Sequence, residues 1–506
     1  MPVPAGKNNA HSPARRLLWL LAGLLLVAAV RLWRLPEAGP PDYDSAHNWQ
    51  IVQELAQGNF THLFHHGSPG FFLLYAPVAL FTRDFWVFQT INALFGVVGV
   101  GLFVQWVSRK ARLTGPETLA LALLGGTTLL LTFSGRDFTM SSLNLVVFAA
   151  LLRSHFARLH RPSPAALVHV AGWLALGLSI DYKFLFTVPI LLVLELWQGD
   201  GLWRQPATWR RVLLVLAVPY LVLGTLGVLL GLPWYRWLAF YVRVVFPAEA
   251  NPAGRQATLH PDLLYYVRYL LSYESPVLLG GLGATGWLVW RRWRTGDYGR
   301  GQALPLLPYL LVWAACLLAG MSLLLKAPRG LLFTYLPLAA LAVLSARHRL
   351  PNWALLGVAA AAVALNLFRI QRHIYAHLPT RYPHVAAWLR AHDATAIAST
   401  VGMGLAPYLL ENQTLKVVTN EKQLAHLRQQ GYQYVLLDGY WRVAGVHRFD
   451  SLRRQVPVAA WEAPQLQEPL LFLEHSEYTG LGYSETLAAS QAAALDTLGL
   501  RVYRLK

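Results

Sequence analysis

The chain has 506 residues, 55% hydrophobic and 13% charged, with 43 lysines and arginines against 25 aspartates and glutamates. A soluble globular chain carries about 25% charged residues, so this composition excludes a disordered protein and an ordinary cytosolic enzyme. The formal net charge of +18 does not indicate a nucleic-acid partner, because the basic residues punctuate apolar runs instead of forming one stripe.

In chain order, Arg15 and Arg16 precede an apolar run, Leu17 to Val30, followed by Arg31-Leu-Trp-Arg34 with no small-residue cleavage site. This reads as a retained first span and not as a removed leader. A span needs about 20 mostly apolar residues. Eleven runs are candidates: 16–35, 85–107, 117–134, 138–157, 165–181, 183–198, 211–231, 275–291, 303–325, 329–346 and 352–369. The run Gly70 to Phe81 is too short to cross and contains Pro77, so it reads as a re-entrant or interfacial piece. With the N-terminus in the cytoplasm, Arg109, Lys110 and Arg112, then Arg153, Arg158 and Arg161, then Arg291, Arg292 and Arg294 all fall on the cytoplasmic side. An odd span count then places the region from Arg372 onward outside. The lone cysteine, Cys316, lies in an apolar run and reads as inert core.

Two outer intervals are long, 36–84 and 232–274. The first reads Pro40-Pro-Asp42-Tyr-Asp44-Ser-Ala-His-Asn-Trp49, two carboxylates just beyond a span. An amphipathic stretch follows, with Trp49, Val52, Leu55 and Ala56 on one helical face and Gln50, Gln53 and Glu54 away from it. His65 and His66 come next. The second long interval carries Trp234, Trp237, Leu238, Tyr241 and Val245 on one helical face, an arrangement expected of aromatics at a membrane interface or of a lid. Three outer intervals are very short: Ser134 to Asp137, Asp181 to Lys183 and Lys326 to Arg329. Each places basic residues where the topological tendency disfavours them, and phosphate binding supplies a reason.

Residues 372–506 change character, with shorter apolar runs and more acids. Residues 384–391 and 421–430 read as helices, and 395–400, 415–419 and 434–438 as strands. The fold class is therefore a polytopic α-helical membrane domain, 1–371, with a small α/β domain, 372–506. The tail carries no phosphate loop and no metal-ligand spacing, and reads as acceptor handling or scaffold.

The order of span, acidic pair, interfacial helix, proline-containing re-entry and span resembles the GT-C superfamily of membrane glycosyltransferases. More narrowly it resembles bacterial relatives of protein O-mannosyltransferases and lipid A aminoarabinose transferases. In that family the loop reads Asp-Glu before a small residue; here Asp44-Ser45-Ala46 stands there, and Asp42 is the nearest second acid. Arg136-Asp137 and Gly177-Leu-Ser-Ile-Asp-Tyr-Lys183 are similar to the family's second outer loop and a later span end.

The resemblance implies an inverting transfer of a sugar from a polyprenyl-phosphate donor to a hydroxyl of a glycan, lipid or protein acceptor. The hydroxyl needs a general base, Asp44 or Asp42. The phosphate leaving group needs no proton but needs fixed positive charge, for which Lys183, Lys326, Arg329 and Arg136 are placed at the outer ends of spans. Asp137 and His66 are supporting candidates. This chemistry requires no cofactor; some relatives use a divalent ion, but His65 and His66 come with no full ligand set. The implied location is a bacterial inner membrane with the tail periplasmic. Two other functions fit the composition, a flippase for lipid-linked sugars and a non-catalytic scaffold. The ionisable groups at span ends, without an internal repeat, disfavour the flippase.

Overall fold

The computed structural model describes residues 13–198, 201, 205–233, 235, 237–239, 242, 261–296, 304–324, 326–347, 349–446, 449–495 and 499–505. Trp234, Tyr241 and Val245 of the expected lid lie outside the described residues.

The first part of the chain is helical. Its elements are α1 (Pro13–Leu32), α2 (Tyr43–Ala56), α3 (Pro69–Ala79), α4 (Phe85–Lys110), α5 (Gly115–Gly126), α6 (Leu129–Gly135), α7 (Ser141–His160), α8 (Pro164–Ile180), α9 (Val188–Gln198) and α10 (Pro206–Leu229). Then come α11 (Tyr265–Tyr273), α12 (Val277–Arg294), α13 (Leu306–Leu323), α14 (Tyr335–Ala346) and α15 (Asn352–His373). Each apolar run of the sequence falls on one of these helices or on the bent pair α5–α6. Among the described residues five helices are long and apolar enough to cross a membrane, six if the bent pair counts as one span.

Local chemistry sets the ends and the close approaches. Thr114 and Glu117 form a reciprocal capping box at the start of α5, and Ser163 caps α8 ahead of Pro164. The 64° bend between α5 and α6 has an identifiable partner. The Glu274 carboxylate accepts the backbone N–H groups of Leu129 and Leu130, both at 2.9 Å, which satisfies donors the break would otherwise orphan. Glycines let helices touch. A Cβ on Gly281 of α12 would stand 2.4 Å from the Ala342 Cα of α14, and one on Gly99 of α4 would stand 2.7 Å from Leu145 of α7. At the far ends of α7 and α9 a fully buried Arg158 donates to Glu195 at 2.8 Å, with His155 on the other carboxylate oxygen at 3.4 Å.

The tail is a five-stranded sheet in the order β2-β1-β3-β5-β4, with β1 (Ala396–Thr400), β2 (Thr414–Val418), β3 (Tyr434–Asp438), β4 (Ala459–Glu462) and β5 (Gly499–Arg504). β1 runs parallel to β2 and β3; β5 pairs antiparallel with β3 and β4. Around it lie α16 (Tyr382–Ala391), α17 (Lys422–Gln429), α18 (Tyr440–Val443), α19 (Asp450–Arg453), α20 (Pro469–Glu474), α21 (Ser476–Thr479) and α22 (Tyr483–Leu495). The first three strands and their helices match the sequence expectation within two residues. The tail has its own core, yet Leu470, Leu473 and Tyr483 belong to the core of the helical part. The segment around α20 and α21 is thus packed into the helical domain, and it brings its polar residues with it.

One expectation on α2 changes in detail. Trp49, Val52 and Leu55 are buried as the amphipathic pattern requires, but so are Ser45, Asn48, Ile51 and Gln53. The helix packs against α3 and against the tail turn Ala406–Tyr408, so protein covers the face the pattern assigned to water.

Candidate functional site

The site forms where the start of α2, the turn Pro328–Leu331 before α14, the turn Tyr182–Thr187 after α8 and the tail segment Glu474–Glu477 converge. Asp42 is the N-cap of α2, and its Oδ1 accepts the Ser45 N–H at 2.8 Å. Its side chain is 7% exposed, against 35% for Asp44 two residues later. The cap fixes Asp42, and the first helical turn then directs Asp44 into the cleft.

Arg329 is the hub. Its Nη1 lies 3.5 Å from Asp44 Oδ2 and 4.0 Å from Asp42 Oδ2. Its Nε lies 3.9 Å from Glu474 Oε2. Its Nη2 and Nε donate to Glu477 Oε1 at 2.5 and 2.9 Å. On the other side of Asp44, His66 Nε2 lies 3.5 Å from Oδ1. His66 takes the left-handed backbone conformation (φ 52°), uncommon for a non-glycine residue, and this turn presents its ring to Asp44.

The electrostatics separate the acids. Burial would raise Asp44, but His66 and Arg329 outweigh it and hold the carboxyl well below the usual range. Burial, with the Asp44 charge beside it, pushes Asp42 up to about 6. Burial pushes Glu474 up to about 8 against the opposing pull of Arg329. Asp137 is raised well above its usual value by burial and then by Asp42. Of these acids Asp44 is the one its neighbours hold ionised and the one open to the cleft. Burial and the Arg329 charge lower His475 to about 4. Its neutral ring donates through Nδ1 to the Leu471 carbonyl at 2.8 Å and accepts through Nε2 from the Tyr440 hydroxyl.

The remaining expected residues are distributed as follows. Lys183 stands 3.8 Å from Asp181, which Asn144 holds at 2.6 Å, and its charge reaches Glu474. Lys326 is buried. Its Nζ donates to the Leu324 carbonyl at 2.6 Å, while its own carbonyl accepts from Ser476 Oγ at 2.5 Å. Arg136 donates to the carbonyls of Arg31 and Trp33, both at 2.7 Å, and its guanidinium lies over Tyr375. It closes the end of α1 and does not reach the Asp44 cluster. Asp137 accepts the Phe138 N–H at 2.7 Å, and Ser45 Oγ accepts the same N–H at 3.2 Å, tying this loop to the start of α2. Arg136 and Asp137 also line a cavity of about 60 Å³ with Gln89, His373, His377 and Glu468; neither Asp42 nor Asp44 lines it.

His47, His65 and His66 are near neighbours, with ring centroids 4.4 Å apart for His47 and His65 and 3.9 Å apart for His65 and His66. Burial lowers His47 to about 4. Among the described residues no three His, Cys, Asp or Glu side chains are grouped to hold a metal ion.

The sequence reading did not single out Glu474, His475 and Glu477. The available signal was local: Leu-Glu-His-Ser-Glu directly after an apolar stretch, dense in ionisable groups for a segment that packs against a membrane domain.

No protein-family model and no curated protein sequence matches the chain. Solved structures do. ArnT from Cupriavidus metallidurans in its apo state superposes with a TM-score of 0.56 at 14% identity, over 85% of this chain and 96% of that one. The same protein bound to undecaprenyl phosphate gives 0.57 at 13% identity, over 89% and 96%. The archaeal oligosaccharyltransferase AglB from Archaeoglobus fulgidus, in complex with an inhibitory peptide and a dolichol-phosphate, gives 0.55 at 14% identity, over 84% and 70%. At such identities the likeness establishes the fold alone: the chain is folded like ArnT and AglB.

Proposed function

We propose that the chain is an inverting glycosyltransferase that moves a sugar from a polyprenyl-phosphate donor to an acceptor hydroxyl at the outer face of the membrane. One observation carries the reading: Asp44, ionised and open to the cleft, faces Arg329 across 3.5 Å. The fold around them is shared with a protein whose structure holds undecaprenyl phosphate.

The residues divide the reaction between them. Asp44 takes the proton of the acceptor hydroxyl as its oxygen attacks the anomeric carbon. The new C–O bond forms on the face opposite the phosphate, so the configuration inverts. The old bond from the anomeric carbon to the phosphate oxygen breaks, and its electron pair leaves with the phosphate. Arg329 binds that growing negative charge, with Lys183 on the neighbouring turn adding to the field. His66 orients Asp44. Asp42 holds the helix start and is the second candidate base. Lys326, Arg136 and Asp137 support the loops that carry these groups. The acceptor is a glycan, lipid or protein hydroxyl, and the setting is a bacterial inner membrane with the tail on the periplasmic side.

Native mass spectrometry of the detergent-purified protein with undecaprenyl phosphate tests the donor. The lipid is expected to stay bound to wild type and to be lost when Lys183 and Arg329 are both replaced by Gln. A folded wild type that retains no lipid at saturating concentration overturns the reading. The anomeric configuration of the product, read by NMR against that of the donor, tests inversion.

A further inference from the structure

We propose that Glu477 occupies the donor-phosphate position on Arg329, and that polyprenyl phosphate binds by displacing it. This rests on the reading of the chain as a polyprenyl-phosphate enzyme, and it gives the tail domain a task in donor binding.

Carboxylate and phosphate compete for the same guanidinium edge, because both offer oxygens that match its fork of donors. In the folded chain that fork is already engaged. Nη2 and Nε both point to Glu477 Oε1, at 2.5 and 2.9 Å, and Nη1 is turned to Asp44 at 3.5 Å. A phosphate can gain the short bonds only where a carboxylate gives them up. Asp44 cannot be the one to leave, since it has to stay in place as the base.

Glu477 is built to leave. It sits on α21, a turn of four residues that ends at Gly480 with φ 75°, a backbone conformation glycine adopts freely. The turn itself is pinned: Ser476 Oγ donates to the Lys326 carbonyl at 2.5 Å and pairs with the Tyr265 hydroxyl at 2.7 Å. The exchange is therefore placed on the Glu477 side chain and not on the turn that carries it. That side chain is 27% exposed, against 18% for the Arg329 side chain. Glu474, on the same segment, serves as an internal comparison. It lies 3.9 Å from Nε, is almost fully buried, and is largely neutral at pH 7. It holds no short bond that a phosphate would have to replace.

Titration of undecaprenyl phosphate onto the full-length protein in detergent at pH 7 tests the exchange, with wild type beside Glu477→Gln, Glu477→Asp and Glu474→Gln. Glu477→Gln is expected to bind the lipid about tenfold more tightly, the size of one lost charge-assisted competitor. Glu477→Asp keeps the charge one methylene further from Arg329 and is expected to fall between the two. Glu474→Gln stays within about twofold of wild type. Should Glu477→Gln fail to fold, the order of Glu477→Asp and wild type carries the test. Unchanged or weaker binding in the Glu477 variants, with normal binding by wild type, overturns the exchange and leaves the proposed function standing. Binding by neither wild type nor variant removes both.

Discussion

Replacing Asp44 by Asn tests the assignment of the base most directly, and Asp42→Asn is its matched control. The two acids are two residues apart and beside the same arginine, yet their surroundings differ. Asp42 accepts the Ser45 N–H at 2.8 Å and is nearly closed to solvent. An asparagine oxygen accepts that bond equally well, so Asp42→Asn should cost under about 0.5 kcal/mol of stability and leave turnover within a few fold. Asp44 makes no cap; its carboxylate faces the cleft between Arg329 and His66. An amide there keeps the shape and removes the proton acceptor. A positioned base contributes about 10² to 10⁴ in rate, so Asp44→Asn should lower kcat by that factor, about 3 to 5 kcal/mol of barrier. The lipid should still bind, because Arg329 keeps its place. The assay is transfer from a synthetic polyprenyl-phosphate sugar in detergent micelles, with thermal unfolding of each variant as the fold control. Full activity in both variants would refute the reasoning, and loss only in Asp42→Asn would reverse the roles.

Other outcomes follow from the same geometry. Asp42→Ala, unlike Asp42→Asn, deletes the α2 cap and should destabilise the protein by about 1 kcal/mol, seen as a lower unfolding temperature. Glu474 has its folded pKa raised to about 8, above the ordinary glutamate range. Its contribution to stability is therefore complete at acid pH, below that range, and is lost as pH rises through about 8. Wild type should lose more unfolding temperature between pH 6 and 9 than Glu474→Gln does; parallel curves would show that Glu474 is not the titrating group. On α12, Gly281→Ala forces a Cβ to within 2.4 Å of the Ala342 backbone, whereas Gly280→Ala meets nothing within 4 Å. The first should cost about 1 to 3 kcal/mol. The second should be neutral or slightly stabilising, and equal effects on detergent stability would show that this helix contact does not carry weight.

How much of this was legible in the sequence depends on the range of the signal. Asp44 and Arg329 could be read because each is locally anomalous: an acidic pair directly after an apolar run, and a cation in a very short loop on the side that disfavours cations. Their 3.5 Å approach could not be read, since 285 residues separate them. Apolar patterning located the helices but not their breaks. The run 117–134 has no proline, and its bend at Thr127 and Thr128 is matched to Glu274, a residue far along the chain. The runs 183–198 and 329–346 each begin in a 3-10 turn, Tyr182–Thr187 and Pro328–Leu331, which apolar patterning does not mark. Arg136 fitted the pattern of a phosphate ligand by sequence. Its role as a lock on the carbonyls of α1 depends on a helix end about a hundred residues earlier.

On the proposed function, the charge balance of the site would link donor binding to catalysis. Four carboxylates surround one guanidinium, but burial raises Asp42 to about 6 and Glu474 to about 8. By distance, Asp44 and Glu477 are the carboxylates that face Arg329 most closely, at 3.5 and 2.5 Å. A donor phosphate brings further negative charge into the same partly buried space, where like charges repel strongly. In the proposed exchange the charge is released by Glu477 leaving Arg329, which keeps Asp44 in place beside His66 and Arg329. Were Glu477 held in place, the added charge would fall first on Asp42 and Glu474, the two acids that burial has already raised, and not on Asp44.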